Sequence, residues 1–220
     1  MTFRFGVGLA LCVATVLPVV APAQASATVR PWDIDVSFGD LARSVSAAKV
    51  VGVRSFATNR LNVNWGFRVS AMFGDGIRHL GVGDESDSLF VPKMQLLTAN
   101  AMIGAGVKLA DNIELGVNVD LVGLTLGTDR GGLLVNPGTQ LVTVAPVWFN
   151  AFGFGSDRTR GSLNSQLFLL YDVSDEWKIR IGYSNLWTDY ALQNPVQGSP
   201  TRFRSTLPGI FIGGRYTPKD

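Results

Sequence analysis

Thiol chemistry is almost absent from this chain. Among 220 residues there is one Cys, Cys12, and it lies inside an N-terminal leader. Arg4 supplies a positive start, Gly6 to Val20 carries no charge, and Ala23-Gln24-Ala25 is a small-x-small cleavage sequence, so residues 1–25 read as a secretory signal peptide. Pro18 and Pro22 speak against a retained transmembrane helix, as does a run shorter than the about 20 apolar residues such a helix needs. A lipoprotein signal is disfavoured, because Leu11 stands where a small residue is wanted and Cys12 comes too early. The expected mature chain, residues 26–220, is one domain without cysteine, which leaves no disulfide and no thiol nucleophile.

Charge is scarce as well. Asp, Glu, Lys and Arg make up 16% of the chain, against about 25% in typical soluble domains. Bases and acids nearly balance, at 19 and 17, so no electrostatic case exists for nucleic acid. Long hydrophobic runs are missing outside the leader, although 46% of the residues are hydrophobic. The apolar content must therefore be spread through alternating strands, as a transmembrane barrel requires.

Alternation is what the sequence does have. "WDIDVSFG" (32–39), "RLNVNWGFRVSAMF" (60–73), "IRHLGVG" (77–83), "KMQLLTANAMIGAGVKL" (93–109), "IELGVNVDL" (113–121), "LNSQLFLLYDV" (163–173), "WKIRIGYSNLW" (177–187) and "RSTLPGIFIGGRY" (204–216) predict eight strands. Short turns are expected at 74–76, 110–112 and 174–176, and longer loops at 40–58, 84–92, 128–161 and 189–203. After Leu121 the alternation slips, as it would at a bulge near the outer rim or where the strand rises above the membrane and the pattern no longer matters. Eight strands with short turns on one side and long loops on the other describe a closed, antiparallel, up-and-down transmembrane β-barrel.

The polar faces decide which side is inside. Pooled, they carry Asp33, Asp35, Glu114 and Asp120 against Arg68, Lys178, Arg180 and Arg215, among Asn, Ser, Thr and many glycines. Glycine weakens an exposed strand, whereas small residues and balanced charges suit the crowded interior of a narrow barrel. The apolar faces carry Trp32, Phe73, Tyr171, Trp177, Tyr183 and Tyr216 near strand ends, an aromatic girdle on the lipid side. This predicts polar inside and apolar outside, with the four acids and four bases paired so that the lumen is plugged.

The leader, the "KLADNIELGVNVDLVGLTLG" hairpin, "GSLNSQLFLLYDVSDEWKIRIGYS" and the aromatic-ended last strand resemble the small outer-membrane β-barrel proteins of Gram-negative bacteria, in the OmpA-like and OmpX-like size class. The likeness lies in architecture and turn pattern, not in a catalytic motif. It implies the cell outer membrane as location, outer-membrane lipids and lipopolysaccharide as surroundings, the barrel-assembly machinery as a partner during biogenesis, and a monomer. Such proteins commonly end on Phe or Trp; here Tyr216 is followed by Thr217-Pro218-Lys219-Asp220.

Nothing in the sequence makes a catalytic, cofactor or metal site. The single His, His79, is expected near the turn-side end of a strand, away from the outer leaflet, and a lone histidine is usually a packed residue. Asp84, Glu85 and Asp87 could offer oxygen ligands to a cation, but they lack EF-hand spacing and read as a solvated loop tip. "DRTR" (157–160) with Arg202 and Arg204 could meet lipopolysaccharide phosphates, but reads more simply as ordinary loop charge. Gly104/Gly106 and Gly153/Gly155 lack the strand–GxGxxG–helix setting of a nucleotide site. The expected role is structural or interactive, without enzyme activity. A narrow channel for small or hydrophobic solutes and a soluble lipocalin-like carrier are the alternatives.

Overall fold

A computed structural model describes residues 30–56, 60–83, 87–136, 138–153 and 158–218. The leader expected at 1–25, together with Asp84, Glu85, Gly155 and Asp157, lies outside them. Among the described residues the chain is all β and contains no helix. Its strands are β1 (Trp32–Phe38), β2 (Ala42–Phe56), β3 (Leu61–Gly81), β4 (Ser88–Ala110), β5 (Ile113–Leu126), β6 (Arg130–Asn136), β7 (Gly138–Pro146), β8 (Phe149–Ala151), β9 (Leu163–Asp172), β10 (Trp177–Leu192) and β11 (Arg202–Tyr216).

All strand pairings are antiparallel. β1 pairs with β2, β2 with β3, β3 with β4, β4 with β5, β5 with β9, β9 with β10, β10 with β11, and β11 returns to β1, so eight strands form a ring. Above it the pairing changes. β1 and β2 have ended, and β3 meets β11 directly at Phe203↔Gly81 and Arg204↔Leu80. β5 leaves β4 at Leu126, and the β6–β7 hairpin takes its place, pairing with β4 at Phe90↔Leu133 and with β10 at Tyr190↔Pro146. The upper ring is therefore β3-β4-β6-β7-β10-β11, six strands set on eight.

Several predicted elements are redrawn. Residues 40–58 are not a loop: β2 fills most of the segment, and only residues 39–41 join it to β1. Gly74-Asp75-Gly76 is not a turn, since β3 runs through it with Asp75↔Lys93 and Ile77↔Val91 on either side. The expected strands 60–73 and 77–83 are one. Ser88–Pro92 belongs to β4 rather than to a loop, and β6, β7 and the short β8 lie within the expected loop 128–161. Eight strands were expected and eight form the ring, but one expected strand was half of β3 and β2 was absent from the expected set. The turns at 111–112 and 173–176 lie at the end where the described chain starts and stops, and the 82–87, 127–162 and 193–201 connections lie at the other.

The bulge after Leu121 is present. Ala101 faces Val122 and Met102 faces Asp120, leaving Leu121 as the extra residue of β5. It lets Asn118 and Asp120 point inward below and Thr125 point inward above. A second irregularity matters more. In β3 the inward residues are even-numbered up to Gly74 and odd-numbered from Ile77; in β4 the same change falls between Met94 and Val91. Gly76 (φ 64°) supplies the left-handed backbone there. The two strands step together, and the step lies where the lower ring gives way to the upper.

Candidate functional site

The interior of the lower ring is polar, and each side chain arrives there by strand alternation. Phe67 is 62% exposed and its neighbour Arg68 is 1%; Ile181 is 55% exposed and Arg180 is 0%. At the bottom Arg215 forks onto Asp33, Nε to Oδ1 at 2.6 Å and Nη2 to Oδ2 at 2.8 Å. Arg180 Nη1 donates to Asp35 Oδ2 at 2.5 Å and lies 3.4 Å from Asp33 Oδ2. Its guanidinium also covers the ring of Phe168, 4.2 Å from the centroid, with Phe211 at 5.4 Å. A methyl group at Gly213 would collide with the Asp35 carboxylate, so the glycine makes room for this pair.

Gln166 joins this layer to the next. Its Nε2 donates to Asp35 Oδ2 at 3.3 Å, and its Oε1 accepts from Arg68 Nη2 at 2.7 Å. Arg68 Nη1 bonds Asp120 Oδ1 at 2.9 Å. Asp120 Oδ2 accepts from Asn100 Nδ2 at 2.9 Å and from the Asn164 main-chain N–H at 3.0 Å. Above it, Asn100 Oδ1 accepts from Asn150 Nδ2 at 2.7 Å, and Asn150 Oδ1 accepts from Thr125 and from the Ser162 main chain. A chain of hydrogen bonds and ion pairs thus runs up the ring, although Asp35 Oδ1, Arg68 Nε and Arg180 Nε find no partner within it.

Six of the eight charges expected to pair inside do so, as Asp33–Arg215, Asp35–Arg180 and Asp120–Arg68. Lys178 and Glu114 do not join them. Lys178 pairs at 2.9 Å with Asp172 at the lower rim, and Glu114 accepts from Asn62 at 3.0 Å. Gln166 and Asn150 were not foreseen, because a lone amide carries no sequence signal. Above this network the upper ring encloses an apolar cluster that includes Met72, Ile77, Leu89, Leu134, Tyr190 and Phe203.

The other residues singled out by sequence fall apart as candidates. His79 is at the loop-rich end, not the turn end, because the 74–76 segment does not turn the chain. Its ring is buried in the upper ring, with Nε2 3.2 Å from Thr188 Oγ1 and an edge contact to Tyr190 at 5.1 Å. Burial pushes its pKa down to about 4, so the imidazole is neutral. Arg204 forks onto Asp189 at 2.6 and 2.7 Å, with Arg202 3.8 Å from the same carboxylate. Arg204 Nη2 also donates to the Thr159 carbonyl, so the structure does bring Arg202 and Arg204 beside Arg158 and Arg160, with Asp189 set among them as a counter-charge. Asp87 is buried at the end of the 82–87 connection. Gly104 and Gly106 line the inside of β4, where a methyl group would meet Asn118 and Glu114. Among the described residues no group of His, Cys, Asp or Glu could hold a metal ion.

The outer surface of the lower ring is a belt of exposed apolar side chains, among them Ile34, Phe67, Ile181, Ile210 and Ile212. At its lower margin Trp32 and Trp177 both face Tyr216 across the ladder, and the Trp177 and Tyr216 rings pack at a 38° tilt with centroids 4.9 Å apart. Phe38 and Phe73 stand toward the other margin. Tyr183, expected at an edge, sits mid-belt between Ile210 and Leu167.

An antiparallel ring with charge inside and hydrocarbon outside is the class of molecule that the fold and interior define. No family model matches the chain, and no curated protein matches it. A search of solved structures returns a chain described as "CymD monoaromatic hydrocarbon channel", 8% identical, covering 90% of both chains at a TM-score of 0.23. At that level the likeness bears on neither fold nor function.

Proposed function

We propose that this protein is an integral outer-membrane β-barrel, closed by eight strands, with a plugged lumen and a structural or interaction role exercised through its wall and loop-side end. The observation that carries this reading is the sense of the faces. Large apolar side chains are exposed all round the lower ring while Arg68, Arg180, Asp33 and Asp120 inside it are 0–1% exposed. In water that arrangement would be inverted. In lipid it is the required one, and closure removes the strand edges that hydrocarbon cannot satisfy. The outward row of β3 from Leu61 to Phe73 is long enough for the about 9–11 residues of a tilted spanning strand.

The same faces weigh against a lipocalin-like carrier. The hydrogen-bonded interior, capped by the apolar cluster, weighs against a channel. A catalytic role is not part of the reading, since the only histidine is enclosed and neutral. Its surroundings are outer-membrane lipid and lipopolysaccharide, and its biogenesis goes through the barrel-assembly machinery.

Cell fractionation tests the location: the protein should require detergent for extraction and migrate differently on gels before and after boiling. Planar-bilayer recording tests the plug, and a large, stable ohmic conductance would overturn it.

A further inference from the structure

We propose that the outer wall carries a seat for one anionic membrane lipid, in which Arg130 holds the phosphate and a cleft beside β4 holds an acyl chain. The inference rests on the membrane reading above and adds a site to it.

The cleft arises from the change of ring. β4 pairs with β6 only as far as Phe90 and with β5 only from Leu97, so residues 91–96 have no strand partner on that edge. A cleft of about 550 Å³ opens there. Ala71, Phe73, Leu97 and Leu126 line it with hydrocarbon, and Gln95 and Arg130 close its polar end. Cross-strand register orders these groups by height. Val45, Ala71, Leu97 and Leu126 form one outward apolar row; the next row up is Arg43, Phe73 and Gln95; the one above pairs Asp75 with Lys93. The wall thus passes from hydrocarbon to charge within two rows, the level at which lipid headgroups lie.

Arg130 is incompletely used. It stands on the inward parity of β6, opposite buried Val144, and reaches out through the gap, where its Nη2 donates to Gln95 Oε1 at 2.8 Å while its Nε is shielded from solvent and has no acceptor. It makes no ion pair among the described residues, with Asp129 beside it in sequence or with Asp75 near Lys93. A buried guanidinium N–H without an acceptor is costly, and Arg presents a planar fork that fits a phosphate. A lipid phosphate at the mouth of the cleft would meet the outer edge of the guanidinium, held in place by its Gln95 bond, and Arg43 flanks the same position across Phe73. The acyl chain would then run down over Leu97 and Leu126, along the apolar row.

The test uses the full chain purified in detergent, titrated with phosphatidic acid or with diacylglycerol of the same acyl chains, and read by native mass spectrometry. One phosphatidic acid should bind at a concentration at least tenfold below that of diacylglycerol. Arg130→Ala and Arg130→Gln should each erase that difference, and Leu126→Trp, which fills the cleft but keeps the arginine, should weaken both lipids. Equal binding of the two lipids by the unaltered chain, selectivity surviving in both Arg130 variants, or displacement of the lipid by an equal concentration of inorganic phosphate would each overturn the site. Heat-dependent gel migration of every variant reports the barrel independently. A heat-modifiable barrel without phosphate selectivity sinks the site alone, whereas a chain soluble without detergent sinks the membrane reading and the site with it.

Discussion

Along β10 the inward residues are Lys178, Arg180, Gly182 and Ser184, then Leu186, Thr188, Tyr190 and Leu192, and on the other face only Asp189, covered at its ion pair with Arg204, is buried as well. The strand serves a polar interior below and an apolar one above. β3 and β4 do the same across their step, from Arg68 and Asn100 to Ile77 and Leu89. Outside, the trend is opposite: the lower ring shows Phe67, Ile181 and Ile212, and the upper ring shows Asp75, Arg78, Lys93 and Gln95 beside Leu80, Phe90 and Leu141. On the proposed membrane reading the lower half meets a hydrocarbon solvent and the upper half largely water. The solvent outside selects which chemistry goes inside, and the join lies where Gly76 and Pro92 face each other without pairing.

The largest expected break is in the lower ring. Arg180→Ala removes the partner of Asp35 and the second partner of Asp33, leaving buried carboxylate charge uncompensated at a cost of about 3–5 kcal/mol. Urea titration of folding in detergent micelles should show the lowered midpoint. If the midpoint does not move, the network is not what holds that interior.

The outer faces sharpen the contrast next. Val117→Arg, on the belt, should cost about 2–4 kcal/mol at mid-depth, whereas Leu141→Arg, 82% exposed on the β6–β7 hairpin, should stay within about 0.5 kcal/mol. Equal costs in the same titration would erase the proposed boundary between the two halves.

His79 gives the upper ring a pH signature. Its imidazole falls from an ordinary 6.5 to about 4 in the folded chain, so the unfolded chain binds the proton more readily. Its contribution is therefore fully present above pH 6.5 and is lost as pH falls toward 4, to a total of about 3 kcal/mol. Hydrogen exchange of β6, β7 and the upper part of β3 should quicken over that window, and His79→Gln should flatten the dependence.

The smallest effect is at the join. Gly76→Ala places a side chain at φ 64°, at a cost of about 1–2 kcal/mol. The midpoint should fall by that amount; an unchanged midpoint would mean the left-handed backbone there is dispensable.

Much of the lower ring could be read from the residues. Strict alternation in 32–39, 60–73, 113–121 and 177–187 marked strands, because a two-residue period is a local property of one chain. Pooling the polar faces named the six charges of the three pairs though not who meets whom, and the slip after Leu121, open to two readings, coincides with a bulge. β2 was invisible for a physical reason. Its inward residues Ala42, Ser44, Ser46 and Ala48 are small, and its outward row mixes Arg43 and Lys49 with Val45 and Ala47, so hydropathy does not alternate. Gly74-Asp75-Gly76 misled because a kink in a strand and a hairpin turn call on the same residues. Arg130 and its cleft left no trace, since the site joins β3, β4, β5 and β6 where two ladders part.

By itself the sequence determined the all-β class, the two chemically opposite faces of each alternating strand and the inventory of charges to be buried. Those depend on residues one or two positions apart. Only the tertiary structure decided the ring order, the partner of each charge, the exchange of polar for apolar interior above Gly76, and the position of His79 at the loop-rich end. Each of these depends on which strand lies alongside which, and hydrogen-bonded partners such as Asp33 and Arg215, 182 residues apart, share nothing in the sequence that would pair them.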